Sequence, residues 1–179
     1  LANNFIWQWL LLPGLALADL VKKEIGESKD NIRDKTFGYL VLVSIFAIIW
    51  LISIPLWKPF LQYVMNVEEY ETVFKIVLLE TGFYITFLFN SCIFDSTFYG
   101  IGKTNYMLIQ SMCIDGFYYG VMFVLYLTGV FVPTLIGICW LFGIGMDIDF
   151  IPTLCLYLRM LKKEKIKIDF QLEPKRNEI

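Results

Sequence analysis

The 179 residues are 58% hydrophobic and 17% aromatic, only 18% are charged, and the mean hydropathy is +0.63; an average soluble domain is about 45–50% apolar and 25% charged. This is more apolar surface than one soluble core can hide. The 15 basic and 17 acidic residues nearly cancel and sit in short clusters between long uncharged runs, which argues against nucleic acid as a partner, and the absence of histidine removes the commonest general base and zinc ligand.

Residues 1–20 read as a first helix, interrupted by Pro13. It has no initiator Met, no basic leading region and no small-residue cleavage site, so it does not read as a signal peptide, and the chain is expected to be a fragment starting within or just before a helix. A charged loop follows. A helix needs about 20 predominantly apolar residues to cross the hydrocarbon core, and Thr36 to Trp57 supplies 22 without a charge. The second helix is placed at 36–57 and the third at 71–98. The uncharged run from Gly116 to Met146 has 31 residues, too many for one span, and Thr128-Gly129 with Pro133 marks a turn inside it. It therefore divides into the ends of two helices, 106–127 and 133–158. The fold class is an all-α membrane bundle of five transmembrane helices, with residues 1–163 as the helical lobe and 164–179 as a charged tail.

Thirteen of the fifteen lysines and arginines fall on one side of this map: Lys22, Lys23, Lys29, Arg33 and Lys35 in the first loop, Lys103 in the third turn, and seven from Arg159 to Arg176. Only Lys58 and Lys75 fall on the other. The positive-inside rule then puts the tail in the cytoplasm and the N-terminus outside, with Trp57, Tyr63 and Tyr70 at the outer aromatic belt. Cys92, Cys113, Cys139 and Cys155 lie singly in apolar runs and read as small packing residues.

Several motifs have plain readings. Gly100-Ile101-Gly102-Lys103-Thr104 ends like a phosphate-binding loop, but the first required glycine is Thr97 and the segment follows a helix, so it reads as a helix end and turn. Asp147-Ile148-Asp149 resembles paired metal-binding aspartates, yet residues two apart on a helix point about 200° away from each other. They share a metal only if the helix breaks near Gly143, Gly145 or Pro152, and no metal site is assigned. Gly116 and Gly120 form a G-x-x-x-G that should let a neighbouring helix approach. Pro13, Pro55 and Pro152 each predict a kink.

The informative residues are acids within apolar runs: Glu80 and Asp95 on the third helix, Asp115 on the fourth, Asp147 and Asp149 on the fifth. A charged side chain at the bilayer centre costs at least about 2.5–3.5 kcal/mol, so none can face lipid comfortably. At about 1.5 Å per residue, Asp115 and Asp147 fall near the middle of their helices, Glu80 within about 10 Å of it, and Asp95 near the cytoplasmic end. Each acid fits either a hydrogen-bonded tie between helices, aided by Ser111 before Asp115 and Ser91 before Asp95, or a functional site. The set points to an internal polar cavity. No lysine or arginine lies between Thr104 and Leu158 to neutralise Asp115, Asp147 or Asp149. Asp115 and Asp149 rank first, the former for depth and the latter because Gly145 and Pro152 allow a local break.

At these residues the layout resembles the multidrug and toxic compound extrusion (MATE) transporters, within the superfamily that includes lipid-linked oligosaccharide flippases. The likeness lies in the order of Ala18-Asp19-Leu20-Val21-Lys22-Lys23-Glu24, Ile54-Pro55-Leu56, Phe98-Tyr99-Gly100-Ile101-Gly102-Lys103-Thr104, Phe131-Val132-Pro133-Thr134-Leu135 and Phe142-Gly143-Ile144-Gly145-Met146. It covers about residues 1–163. The resemblance implies the last five helices of the C-terminal lobe of a two-lobe transporter, partnered by the missing lobe in a plasma or inner membrane. The activity it implies is antiport, in which inward sodium or proton movement drives export of an amphipathic or cationic compound, with Tyr84, Tyr118 and Tyr119 among the aromatic side chains suited to such a substrate. No further cofactor is implied. The acid many family members use as a C-lobe cation site falls near Leu88 and Phe89, which are not acidic, so that site is not transferred. A flippase of the same superfamily and a non-transporting scaffold are the alternatives; no catalytic constellation of an enzyme is present in the sequence.

Overall fold

The computed structural model describes residues 1–170, and among them there is helix, turn and short coil but no strand. Six helical segments follow in order: α1 (Ala2–Leu10), α2 (Leu12–Glu27), α3 (Asp30–Val64), α4 (Tyr70–Gly100), α5 (Thr104–Leu127) and α6 (Leu135–Glu164). The segments α3 to α6 are each long and apolar enough to cross a bilayer; α1 and α2 form a fifth such span if taken together, bent by 51°. The chain is an all-α, membrane-embedded bundle.

Its surface explains why. Buried residues of α3 recur at Ile32, Thr36, Tyr39, Val43, Ala47, Trp50 and Trp57, mostly three or four apart, which is one face of a helix. Between them Ile48, Ile49, Ile52 and Leu56 stay exposed. A helix apolar on both faces has no side that prefers water, so its outer face belongs in hydrocarbon. The same holds for α5, where Val121, Phe123, Val124 and Leu127 point outward.

The helix α4 is the centre of the bundle, packed against α1, α2, α3 and α6. Its inward residues Val77, Tyr84, Leu88, Ile93 and Phe98 meet Val21 and Ile25 of α2 and Tyr157 and Met160 of α6 in one apolar core. Helix ends run past the apolar stretches: α2 continues to Glu27, α3 begins at Asp30, and α6 reaches Glu164. Hydrocarbon thickness sets the apolar run, while intrahelical hydrogen bonding carries the helix on into the polar zone. The α4–α5 turn closes with Gly102 at φ 70°, its N–H on the Tyr99 carbonyl at 3.0 Å and the Lys103 N–H on Phe98 at 2.9 Å, a glycine-stopped helix end.

The basic segments gather at one end. There Glu164 takes Lys103 and lies 4.0 Å from Lys29, and Lys35 lies 3.0 Å from Glu24, which also accepts from Tyr39. Past α6 the chain folds back, the Asp169 N–H donating to the Arg33 carbonyl at 2.8 Å. Residues 171–179, the remainder of the expected tail with Lys175 and Arg176, lie outside the described residues. At the opposite end Lys58 pairs with Glu71 at 2.9 Å.

Pro13 accompanies the break between α1 and α2, and Pro55 and Pro152 lie within α3 and α6, which run on as helix through them. One expectation is corrected. The close approach expected at Gly116 and Gly120 is not made among the described residues: there a Cβ at Gly116 meets nothing within 4 Å, and one at Gly120 meets only the Asp115 carbonyl of its own helix. Close approaches occur instead at Gly14 against Leu88, Gly100 against the Lys22 carbonyl and Ile25, Gly143 against the Phe83 ring, and Gly145 against Tyr119. Gly143→Val therefore forces the α4–α6 seam apart and should cost about 1–3 kcal/mol, seen as a lower thermal midpoint in detergent. Gly116→Ala should be neutral or gain about 0.5–1 kcal/mol from helix propensity.

Candidate functional site

Two polar places interrupt the apolar interior. The first is a cavity of about 650 Å³ between α1, α4 and α6 near the end that carries Lys58, within the size range of small-molecule pockets, about 300–1,000 Å³. Trp7, Phe83, Tyr84 and Phe142 supply aromatic wall, Glu80 sits half-buried inside beside Cys139, and Glu69 is exposed at the α4 end. No lysine or arginine lines it among the described residues. The wall is braced by Tyr84, whose hydroxyl donates to Asn3 at 2.9 Å and accepts from the Trp7 indole at 3.3 Å. Phe83 meets Trp140 edge-on at 5.5 Å.

The second place lies deeper, between α4, α5 and α6. Asp149 Oδ2 accepts from Asn90 Nδ2 at 3.0 Å and from Gln110 Nε2 at 2.7 Å. Asp95 lies beside Gln110 and within electrostatic reach of Asp149. Asn90 is 2% exposed and Gln110 6%. Three buried oxygens here, Asn90 Oδ1, Asp95 Oδ1 and Gln110 Oε1, have no hydrogen-bond partner among the described residues.

A local widening of α4 builds this cluster. Residues five apart on an α-helix are offset by about 140°, which would put Asn90 and Asp95 on different faces. From Asn90 to Asp95, however, α4 is a π-helical turn, closing five residues apart rather than four, and this brings the two side chains toward one face. The Ser96 hydroxyl donates to the Ser91 carbonyl at 2.7 Å, within the turn where the ladder changes.

The acids named from the sequence divide. Glu80 lines the cavity, and Asp95 and Asp149 meet in the oxygen cluster. Asp115 and Asp147 lie midway along α5 and α6 but are exposed on the bundle. The helix α6 is unbroken at Asp149, so Asp147 faces out beside Phe89 and Phe150 while Asp149 faces in. Ser111 is exposed and Ser91 offers its carbonyl to Ser96, so the tethers expected from the serines give way to amides. Tyr84 stands in the cavity wall, whereas Tyr118 and Tyr119 pack the α5–α6 seam, Tyr118 donating to the Leu141 carbonyl at 2.7 Å. Asn90 and Gln110 do not stand out among the charged residues of the spans; their signal in the sequence is an amide within an apolar run.

No family model, curated protein or solved structure matches the chain.

Proposed function

We propose that this chain forms most of one lobe of a secondary active transporter, which exports amphipathic, cationic compounds in exchange for sodium or protons. The observation that carries the reading is the cavity between α1, α4 and α6, with aromatic walls, Glu80 inside, Glu69 at its edge and no basic residue among those lining it. Such a site attracts a hydrophobic cation twice: by the carboxylate, and by ring faces that favour cations. The exposed mid-helix acids support the same reading. Asp115 and Asp147 cannot face hydrocarbon cheaply, so the face that bears them borders water or the partner lobe, as it would beside a transport path.

The layout likeness to the multidrug and toxic compound extrusion transporters, and the gathering of basic segments at one end, support an orientation with the basic end in the cytoplasm of a plasma or inner membrane and the cavity toward the outside. The test is efflux of a fluorescent monocation from proteoliposomes holding the complete protein, with an imposed sodium or proton gradient. The expected result is efflux that follows one gradient and stops when it is collapsed. Equal dye movement with and without any gradient rejects antiport.

A further inference from the structure

We propose that the cleft between the start of α5 and the end of α6 binds one anionic phospholipid, its phosphate held by Lys103, Arg159 and Lys163. The cleft has a volume of about 600 Å³ and lies at the basic end of the bundle, lined by Lys103 from the α4–α5 turn and by Arg159 and Lys163 from α6. Four residues apart on a continuous helix, Arg159 and Lys163 share one face. Lys103 is matched by Glu164, whereas no carboxylate among the described residues lies within 4 Å of Arg159 or Lys163. The cleft therefore carries unbalanced positive charge.

Its other end is apolar, and this selects a lipid over a free anion. Ile109 follows Lys103 by six residues and Leu156 precedes Lys163 by seven, so both lie about 9–10 Å deeper along the helices than the cations. No charge occurs from Thr104 to Ile114 on α5 or from Phe150 to Leu158 on α6, so the cleft crosses the boundary between hydrocarbon and headgroups. Inorganic phosphate would leave the apolar end unfilled. A phospholipid meets both ends, with its phosphate on the cations and its first acyl carbons against Ile109 and Leu156. Tyr106, stacked on Phe98 with ring centres 5.2 Å apart, makes a fixed wall, and Gly102, at φ 70°, puts no side chain over the rim. Lysines and arginines at the end of a span commonly snorkel into the headgroup layer without forming a site. Here two helices turn them onto one concavity, the arrangement by which basic pockets between spans hold anionic headgroups. The site needs only a bilayer and does not depend on the transport reading.

The test titrates the delipidated complete protein in detergent with dioleoyl phosphatidylglycerol and counts retained lipid by native mass spectrometry. One molecule should be retained at a concentration about tenfold lower than phosphatidylcholine of the same acyl chains requires. Arg159→Gln combined with Lys163→Gln should raise that concentration by about tenfold or more. Lys23→Gln combined with Lys162→Gln, an equal loss of charge from exposed positions at the same end but outside the cleft, should change it by less than about twofold. Ile109→Trp, which fills the apolar end and keeps every charge, should also weaken retention, and it serves where the charge variant does not accumulate. Inorganic phosphate should displace the lipid no better than chloride at equal ionic strength. Equal retention of the two lipids overturns the proposal, as does parental retention by Ile109→Trp. An equal effect of the two double substitutions marks diffuse surface charge, and specific displacement by phosphate marks a site for the free anion; either result overturns it too.

Discussion

Glu80→Gln should lower the affinity for a hydrophobic monocation such as tetraphenylphosphonium by about tenfold or more, with little change for a neutral compound of similar bulk. A unit charge 5 Å from a carboxylate in surroundings of effective dielectric 20 gains about 3 kcal/mol. Removing the carboxylate also removes the cost of desolvating it, which returns part of that gain. About 1.4 kcal/mol of net loss is tenfold in affinity. Of the two carboxylates that line the cavity among the described residues, Glu80 is the half-buried one, while Glu69 is exposed at the end of α4 and screened by solvent. Tritiated ligand binding in detergent reads the effect directly, with Glu69→Gln as the comparison expected to lose far less. An unchanged affinity in Glu80→Gln means the cavity does not hold the charged part of the ligand.

The positions of the helices were legible because hydrocarbon imposes a length and a polarity on each span. The uncharged stretch Thr36–Trp57 lies wholly inside α3, and the turn expected at Thr128-Gly129 is the end of α5, with Gly129 at φ 73°. The grouping of lysines was legible for the same reason: charges must leave the spans. Rotation about each helix axis was not. In α3 the buried Val43 and Trp50 and the exposed Ile48 and Ile52 are all apolar, so no contrast tells the inner face from the outer. That ambiguity hid the facing of Asp115 and Asp147, and of Gly116 and Gly120.

The π-helical turns were equally hidden. No sequence period announces an added residue per turn, and without the turn at Asn90–Asp95 the separation of Asn90 from Asp95 argues against a shared site. The bend before Pro13 was half legible: proline marks the place, but the break falls at Leu11, after another wide turn over Ile6–Leu10. Asp149 needed only its helix to stay intact, because a two-residue separation on a continuous helix sends Asp147 and Asp149 to opposite sides.

Asp149→Asn should reduce gradient-driven efflux by about tenfold or more, whereas Asp147→Asn should stay within about twofold of the parent. The two polar places are built on the same helix pair. The helix α4 carries Glu80, Phe83 and Tyr84 into the cavity and then Asn90 and Asp95 into the oxygen cluster; α6 carries Phe142 and Gly143 into the first and Asp149 into the second. From Gly143 to Asp149 is about 9 Å along the helix. Between them Phe83 of α4 packs against the bare backbone of Gly143, so any shift of α4 along α6 at the oxygen cluster also moves the cavity wall. A coupling free energy of about 1–3 kcal/mol, five- to 150-fold in affinity, is typical of such linked sites and must act in both directions. The coupling ion should therefore change the parent's affinity for the hydrophobic cation, and the cation should change its affinity for that ion by the same factor. In Asp149→Asn both shifts should vanish while Glu80 still holds the cation, which separates loss of coupling from loss of binding. If Asp149→Asn and Asp95→Asn keep parental efflux and the full mutual shift, the oxygen cluster is a structural tie and coupling resides in another part of the transporter.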